Sequence, residues 1–370
     1  MIQEKRIVDH FASLVAIDAP SRGERALAET VKGQLRALGL SIEEDQAGAA
    51  IGGDCNNIYA TWPGTLDWPP LIFCAHFDTV EPGQGKRAVI GSDGIITSAG
   101  DTVLGADDLS GLTAIVEAIR SIGEDGLEHR TVELFLTVAE EQHLLGSTHA
   151  ELQRLKGRQA YVLDASGSPG TAIVQAPGNI GLVFELQGQS AHAGMEPEKG
   201  VSAITAAAKG IAAMRLGRID TETTANIGRI CGGGATNIVA DACTVTAECR
   251  SRDWAKLEAQ ANQMCASMEN AARELGARVS IQRHVSYRPY AVPAESPVLA
   301  RFQAVCQKLK LAGDLQPGGG GSDNNTLCEA GFDGIVLTCG MDQVHSCQER
   351  IAVRDLVDTA RLVESLIKEP

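Results

Sequence analysis

The chain has 370 residues, 44% of them hydrophobic, and a formal charge of -15, a length that accommodates a large core and two domains. The acidity argues against a phosphate-backbone partner, which needs clustered Lys and Arg, and it opposes docking on anionic membranes. No apolar run approaches the roughly 20 residues that cross a bilayer, so neither nucleic acid nor membrane is an expected partner.

The first residues, MIQEKRIVDHF, are charged and read as an amphipathic helix, with no secretory signal apparent. The ten cysteines are scattered, with no CxxC pair, a pattern that fits buried thiols in a reducing cytoplasm. Leu27, Val31, Leu35 and Leu38 recur at helical spacing, and Gly39 follows where a helix-terminating glycine belongs. Strand-like runs come next: NIYATW, LIFCA at 71–75, TVELFLTVA at 131–139 and YVLD at 161–164. Between them, LSGLTAIVEAI puts Leu112, Ile115, Val116 and Ile119 on one helical face. Apolar strands separated by helices predict an α/β fold, with a mostly parallel sheet covered by helices on both faces.

Near residue 178 the rhythm changes. NIGLVFELQG and ACTVTAECRSRD read as half-exposed strands, with helices expected at 199–215 and 254–275. Strand, helix, strands, helix, strand is the order of a small α+β sandwich. After YRPYAVP the first pattern returns, with a helix near 297–311 and an apolar strand, GIVLTC, at 334–339. The expected organisation is a main domain in two segments, 1–177 and 291–370, interrupted by an inserted domain at 178–290.

Residues with ligand chemistry gather where strands end, which is where open α/β sheets place their sites. LIFCAHFDTV ends in His76 and Asp78, and LGADDLSG carries Asp107 and Asp108 at a helix start. TVAEEQHLLGS carries Glu140 and Glu141, YVLDASG carries Asp164, and GMDQVHSCQE carries His345. A lone His or Asp at a strand end is more often a cap or a surface group. Together these residues demand more, because converging carboxylates resist ionisation unless a cation compensates them. Mixed His and carboxylate donors suit Zn²⁺, Co²⁺ or Mn²⁺ better than Ca²⁺. One donor from each of these five segments exceeds the needs of one catalytic zinc, whereas two metals sharing a bridging carboxylate would use all five.

Eight segments in register, HFDT, GADDLSG, AEEQHLLGS, SAHAGMEPEKGVSAI, GGGATNIVAD, ECRSRD, GGGGSDNN and CGMDQVHS, resemble the dinuclear zinc aminoacylase and exopeptidase family. That family includes acetylornithine deacetylase, succinyl-diaminopimelate desuccinylase, glutamate carboxypeptidase and peptidase T, and the chain is most similar to the peptidase T branch. The resemblance implies that His76 and Asp164 hold one metal, Glu141 and His345 the other, and that Asp107 bridges. It implies that Asp78 orients the His76 ring and that Glu140 is the general base. The inserted domain would be a lid that also pairs two subunits, making a homodimer. His192 would reach the site on closure and stabilise an oxyanion; the alternative is a loop histidine capping the following helix. Asn237 and Arg250 would hold the substrate backbone and carboxylate, although a strand arginine is as often solvated. Gly321, last of the GGGG run, would let backbone approach a ligand closely, or else belong to a flexible loop. In this family an aspartate at the position of Asp164 accompanies aminopeptidases, so the resemblance implies a cytoplasmic aminopeptidase for di- or tripeptides. N-acyl amino acid deacylation by the same machinery, and a non-catalytic metal or peptide binder, are the alternatives.

Overall fold

The computed structural model describes residues 1–369, which divide into two compact units. The first comprises Met1–Gln175, Ala291–Gly318 and the chain from Ser322 onward; the second comprises Ala176–Tyr290 with Gly319–Gly321.

At the centre of the first unit four strands run parallel, in the order Val132–Thr137, Leu71–His76, Gln159–Ala165, Asp333–Thr338. Ile58–Trp62 joins one side antiparallel, followed by Ser41–Glu44; Thr171–Ala176 joins the other side antiparallel to Asp333–Thr338. The sheet is therefore mostly parallel, as expected. Alternation along the central strands divides two cores. Leu71, Phe73, Ala75, Leu134 and Leu136 face one cluster, which contains the helices Glu4–Val15, Arg25–Ala37, Ala106–Asp125, Pro297–Leu309 and Val353–Lys368. Ile72, Cys74 and Phe135 face the other, against Leu327 and Phe332 around the short helix Asp323–Glu329. Burial on both faces is why these strands are apolar throughout rather than alternating.

The runs of the sequence do not announce a small antiparallel sheet in the order Met341–Asp342, Arg350–Ala352, Ile95–Ser98, Ala88–Ile90. Its strands are too short to leave a periodic signature, yet they fix the 343–349 loop that carries His345.

The second unit is a five-stranded antiparallel sheet with Gly178–Gln187 between Ala242–Ser251 and Arg278–Tyr287. Ile180, Leu182, Phe184 and Leu186 point alternately into a core closed by the helices Ala203–Ala212 and Trp254–Leu275. Asp253 starts the longer helix by accepting the Lys256 N–H at 2.9 Å. The other helix is shorter than the expected 199–215: Pro197–Lys199 is a single 3₁₀ turn, Gly200 is extended, and the Ser202 cap starts the helix at Ala203. The helix expected at 297–311 stops at Leu309, where Lys310 turns left-handed. No described helix is long and apolar enough to cross a membrane.

Candidate metal centre

Parallel strands bring their C-terminal ends to one edge, and the chain spends that edge on ionisable side chains. His76 is the last residue of its strand, Glu140 and Glu141 follow Val132–Thr137, and Asp164 is the last residue but one of Gln159–Ala165. Asp107 lies at the head of Ala106–Asp125, where it and Asp108 leave helical geometry. His345 comes from the loop between Met341–Asp342 and Arg350–Ala352, with φ 60°.

The side chains meet. His76 Nε2 lies 3.1 Å from Asp107 Oδ1 and 3.8 Å from Asp164 Oδ1. His345 Nε2 lies 3.0 Å from Glu141 Oε1 and 3.3 Å from Asp107 Oδ2. The two oxygens of Asp107 thus face different histidines. Potential ligand atoms of His76, Asp107 and Glu141 fall within 4.8 Å of one another, as do those of His76, Glu140 and Asp164. His76 is 2% exposed and Glu140 7%, whereas His345 is open to solvent.

Asp78 ties these parts together. His76 Nδ1 lies 2.9 Å from the Asp78 main-chain oxygen and 3.5 Å from its Oδ1, so the carbonyl is the nearer orienting group. The Asp78 carboxylate itself accepts the backbone N–H groups of Glu140 at 2.9 Å and Glu141 at 3.2 Å, and the Ser21 hydroxyl at 2.6 Å. One buried residue therefore positions both a histidine and the glutamate pair.

Burial, reinforced by Asp107 and opposed by a hydrogen bond from His76, pushes the Asp164 carboxyl up to about 8. Burial and the nearby Asp164 carry Glu140 well above the carboxylate range. Glu141 is raised by burial against the pull of His345. For Asp107 burial acts upward, but hydrogen bonds from His345 and His76 outweigh it and hold the carboxyl low. Asp107 and Glu141 push His345 up to about 10. Carboxylates outnumber imidazoles in this buried space, and the repulsion that results is what divalent cations relieve. The mixed nitrogen and oxygen donors fit such ions.

Three further buried acids lie beside these residues; the sequence marks Asp108, at a helix start, but neither Glu24 nor Asp323. Asp108 accepts the His76 and Gly111 N–H groups, each at 3.3 Å. Glu24 accepts the N–H groups of Ala139 at 2.9 Å and Arg22 at 2.8 Å, and burial, with Asp78 adding, pushes it up to about 7. Asp323 accepts the Thr137 hydroxyl at the end of the neighbouring strand. Asp108 and Asp323 lie inside motifs already singled out; Glu24, in the charged stretch SRGER, carries no spacing signal.

The other expected residues belong to the second unit. His192 is exposed, and its Nδ1 accepts the N–H groups of Gly194 at 3.2 Å and Met195 at 3.1 Å. It thus caps its own 193–195 turn, not a helix. The adjoining Ala193 N–H donates to the Asn237 carbonyl at 2.9 Å, which joins the two loops. Arg250 lies beside Glu248, with Nε to Oε1 at 2.9 Å and an Nη to Oε2 at 3.1 Å. At Gly321 the close approach is by the Tyr287 ring, whose nearest atoms lie 2.4 Å from where a Cβ would stand.

Residues 174–276 match the peptidase dimerisation domain of the M20 peptidases, and residues 57–210 match peptidase family M28. The chain is similar to the crystal structure of aminopeptidase PepT from Bacillus cereus, at 38% identity and TM-score 0.89 over 99% of this chain and 98% of that one. A tripeptidase from Staphylococcus aureus is 35% identical with TM-score 0.95, over 100% of this chain and 98% of that one. The uncharacterized protein YqjE of Bacillus subtilis is 38% identical across 100% of this chain and 99% of its own length.

Proposed function

The chain belongs to the peptidase T-like branch of the M20 family and is a metal-dependent exopeptidase, and from that premise we propose that it releases the N-terminal residue of di- and tripeptides. The observation that carries this reading is the meeting of His76, Asp107, Glu141, Asp164 and His345 beside the buried Glu140. The similar proteins from B. cereus and S. aureus, an aminopeptidase and a tripeptidase, support the substrate class.

In this reading His76 and Asp164 hold one divalent ion, Glu141 and His345 a second, and Asp107 bridges them. The orientation of Asp107, one oxygen toward each histidine, supports the bridging role. Zn²⁺ is the proposed metal, with Co²⁺ or Mn²⁺ as substitutes. When bound, the ions supply Lewis acidity, polarising the scissile carbonyl and easing the ionisation of a water.

The protein's own groups do the rest. The Glu140 carboxylate takes the proton of the attacking water and delivers it to the departing amine nitrogen. Asp78 holds that glutamate in place through its backbone N–H. His192, with Nδ1 occupied by backbone donors, presents Nε2–H as a donor to the developing oxyanion. Asn237 and Arg250 bind the substrate backbone and carboxylate, the guanidinium being held ready by Glu248.

The dimerisation domain at 174–276 supports a homodimer, which sedimentation of the purified protein checks. The ten cysteines, all unpaired, support a cytoplasmic location. A panel of Xaa-Gly-Gly peptides and N-acyl amino acids, with metal analysis of the same sample, tests the function. Free N-terminal amino acid is the expected product; acetate or succinate released from acylated amines alone would make the enzyme a deacylase.

A further inference from the structure

Glu349 is four residues beyond His345, in the same loop, and only 2% exposed. Its carboxylate reaches none of the proposed ligand atoms. It takes two backbone donors instead: Oε2 accepts the Gly105 N–H at 2.7 Å and Oε1 the Asp107 N–H at 3.0 Å. These amides flank the turn that delivers Asp107 to the site. The turn itself is tightly seated, for Gly105 has φ 79° and a Cβ there would stand 3.0 Å from Thr79 Cγ2 and 3.1 Å from Lys86 Cε. A single carboxylate therefore fastens the Asp107 turn to the loop presenting His345.

We propose that Glu349 is a positioning residue that sets the spacing between Asp107 and His345 and thereby governs affinity for the second ion; the proposal rests on the two-metal reading above. A buried carboxylate accepting two N–H groups resists displacement, since losing either bond strands a buried donor. Outer partners of ligands matter to metal affinity by about 10–100-fold.

The test is Co²⁺ titration of metal-stripped protein, read by visible absorption and by metal content, on wild type, Glu349→Gln and Glu349→Asp. Gln keeps the shape but replaces one acceptor with an NH₂ group that opposes a backbone N–H. In wild type two ions bind per chain. In Glu349→Gln the first ion is expected to bind as before, and the second about 10–100-fold more weakly. At limiting metal kcat falls with KM held within about twofold, and excess Co²⁺ restores kcat. Glu349→Asp, which retains both oxygens, falls between; should the Gln variant not fold, the Asp variant is judged by the same criterion.

A wild-type stoichiometry below two sinks the two-metal reading and leaves Glu349 no second ion to govern. Two ions in wild type with unchanged affinities in the variant overturn the Glu349 proposal alone. A lower melting temperature of stripped Glu349→Gln, with both affinities intact, assigns the residue to folding and likewise overturns it.

Discussion

His76 and His192 are both loop-edge histidines, and the two units treat them differently. His76 is buried, Nε2 faces two carboxylates, and its Nδ1 lies against the Asp78 carbonyl. His192 is exposed, and its ring accepts the amides of its own turn. Burying ionisable groups without compensation costs several kcal/mol per ion, a cost that a cation bound at the His76 cluster would relieve. Nothing comparable is built into the His192 loop. Its geometry leaves the far edge of the ring free for a reaction partner without committing it to a ligand.

Metal removal should separate the two most sharply. Stripping with a chelator is expected to reduce peptide turnover to background, with Zn²⁺ or Co²⁺ restoring it; full activity after stripping, verified by metal analysis, would contradict the central reading. Glu140→Gln should lower kcat by about 10²–10⁴ with metal content intact. Unchanged turnover in that variant would move the base elsewhere. His192→Ala should lower kcat by roughly 10²–10³ while metal content and melting temperature stay at wild-type values, because the ring is exposed and caps only a turn. Loss of bound metal in His192→Ala would erase the contrast between the units.

Acidity offers a further handle on stripped protein. Asp164 is raised from the usual aspartate range to about 8 and His345 from the usual histidine range to about 10. The folded state then holds more protons than the unfolded chain from about pH 4, where Asp164 titrates in the unfolded chain, to about pH 10, so stability should fall as pH rises through that window. Thermal melts should drop by about 2–4 °C for each kcal/mol lost, and metal should flatten the profile. The smallest effect is expected at Gly321→Ala, which crowds Tyr287 and should destabilise by about 1–3 kcal/mol. An unchanged KM would assign that glycine to packing.

Much of this architecture is legible along the chain. The apolar runs at 71–76 and 132–137 announce a sheet buried on both faces, and alternation in 178–187 announces one with an exposed face. Placing His76, the Glu140–Glu141 pair and Asp164 at the ends of such runs already implies a shared edge, because parallel strands end together. Other features have no local signature. Met341–Asp342 and Arg350–Ala352 are too short to show a period, so the loop carrying His345 and Glu349 takes its place only through pairing with Ile95–Ser98. Glu24 looks like any surface charge until folding buries it beneath Ala139.

Periodicity and residue type are properties of neighbours along the chain, and they settle which elements form and which side chains could bind a metal. Which oxygen of Asp107 faces which histidine, and which carboxylates serve as supports for others, depends on contacts such as Glu349 with Gly105, separated by 244 residues. Those contacts exist only after the sheet has brought distant segments together, since a hydrogen bond is decided by position in space and not by spacing in sequence.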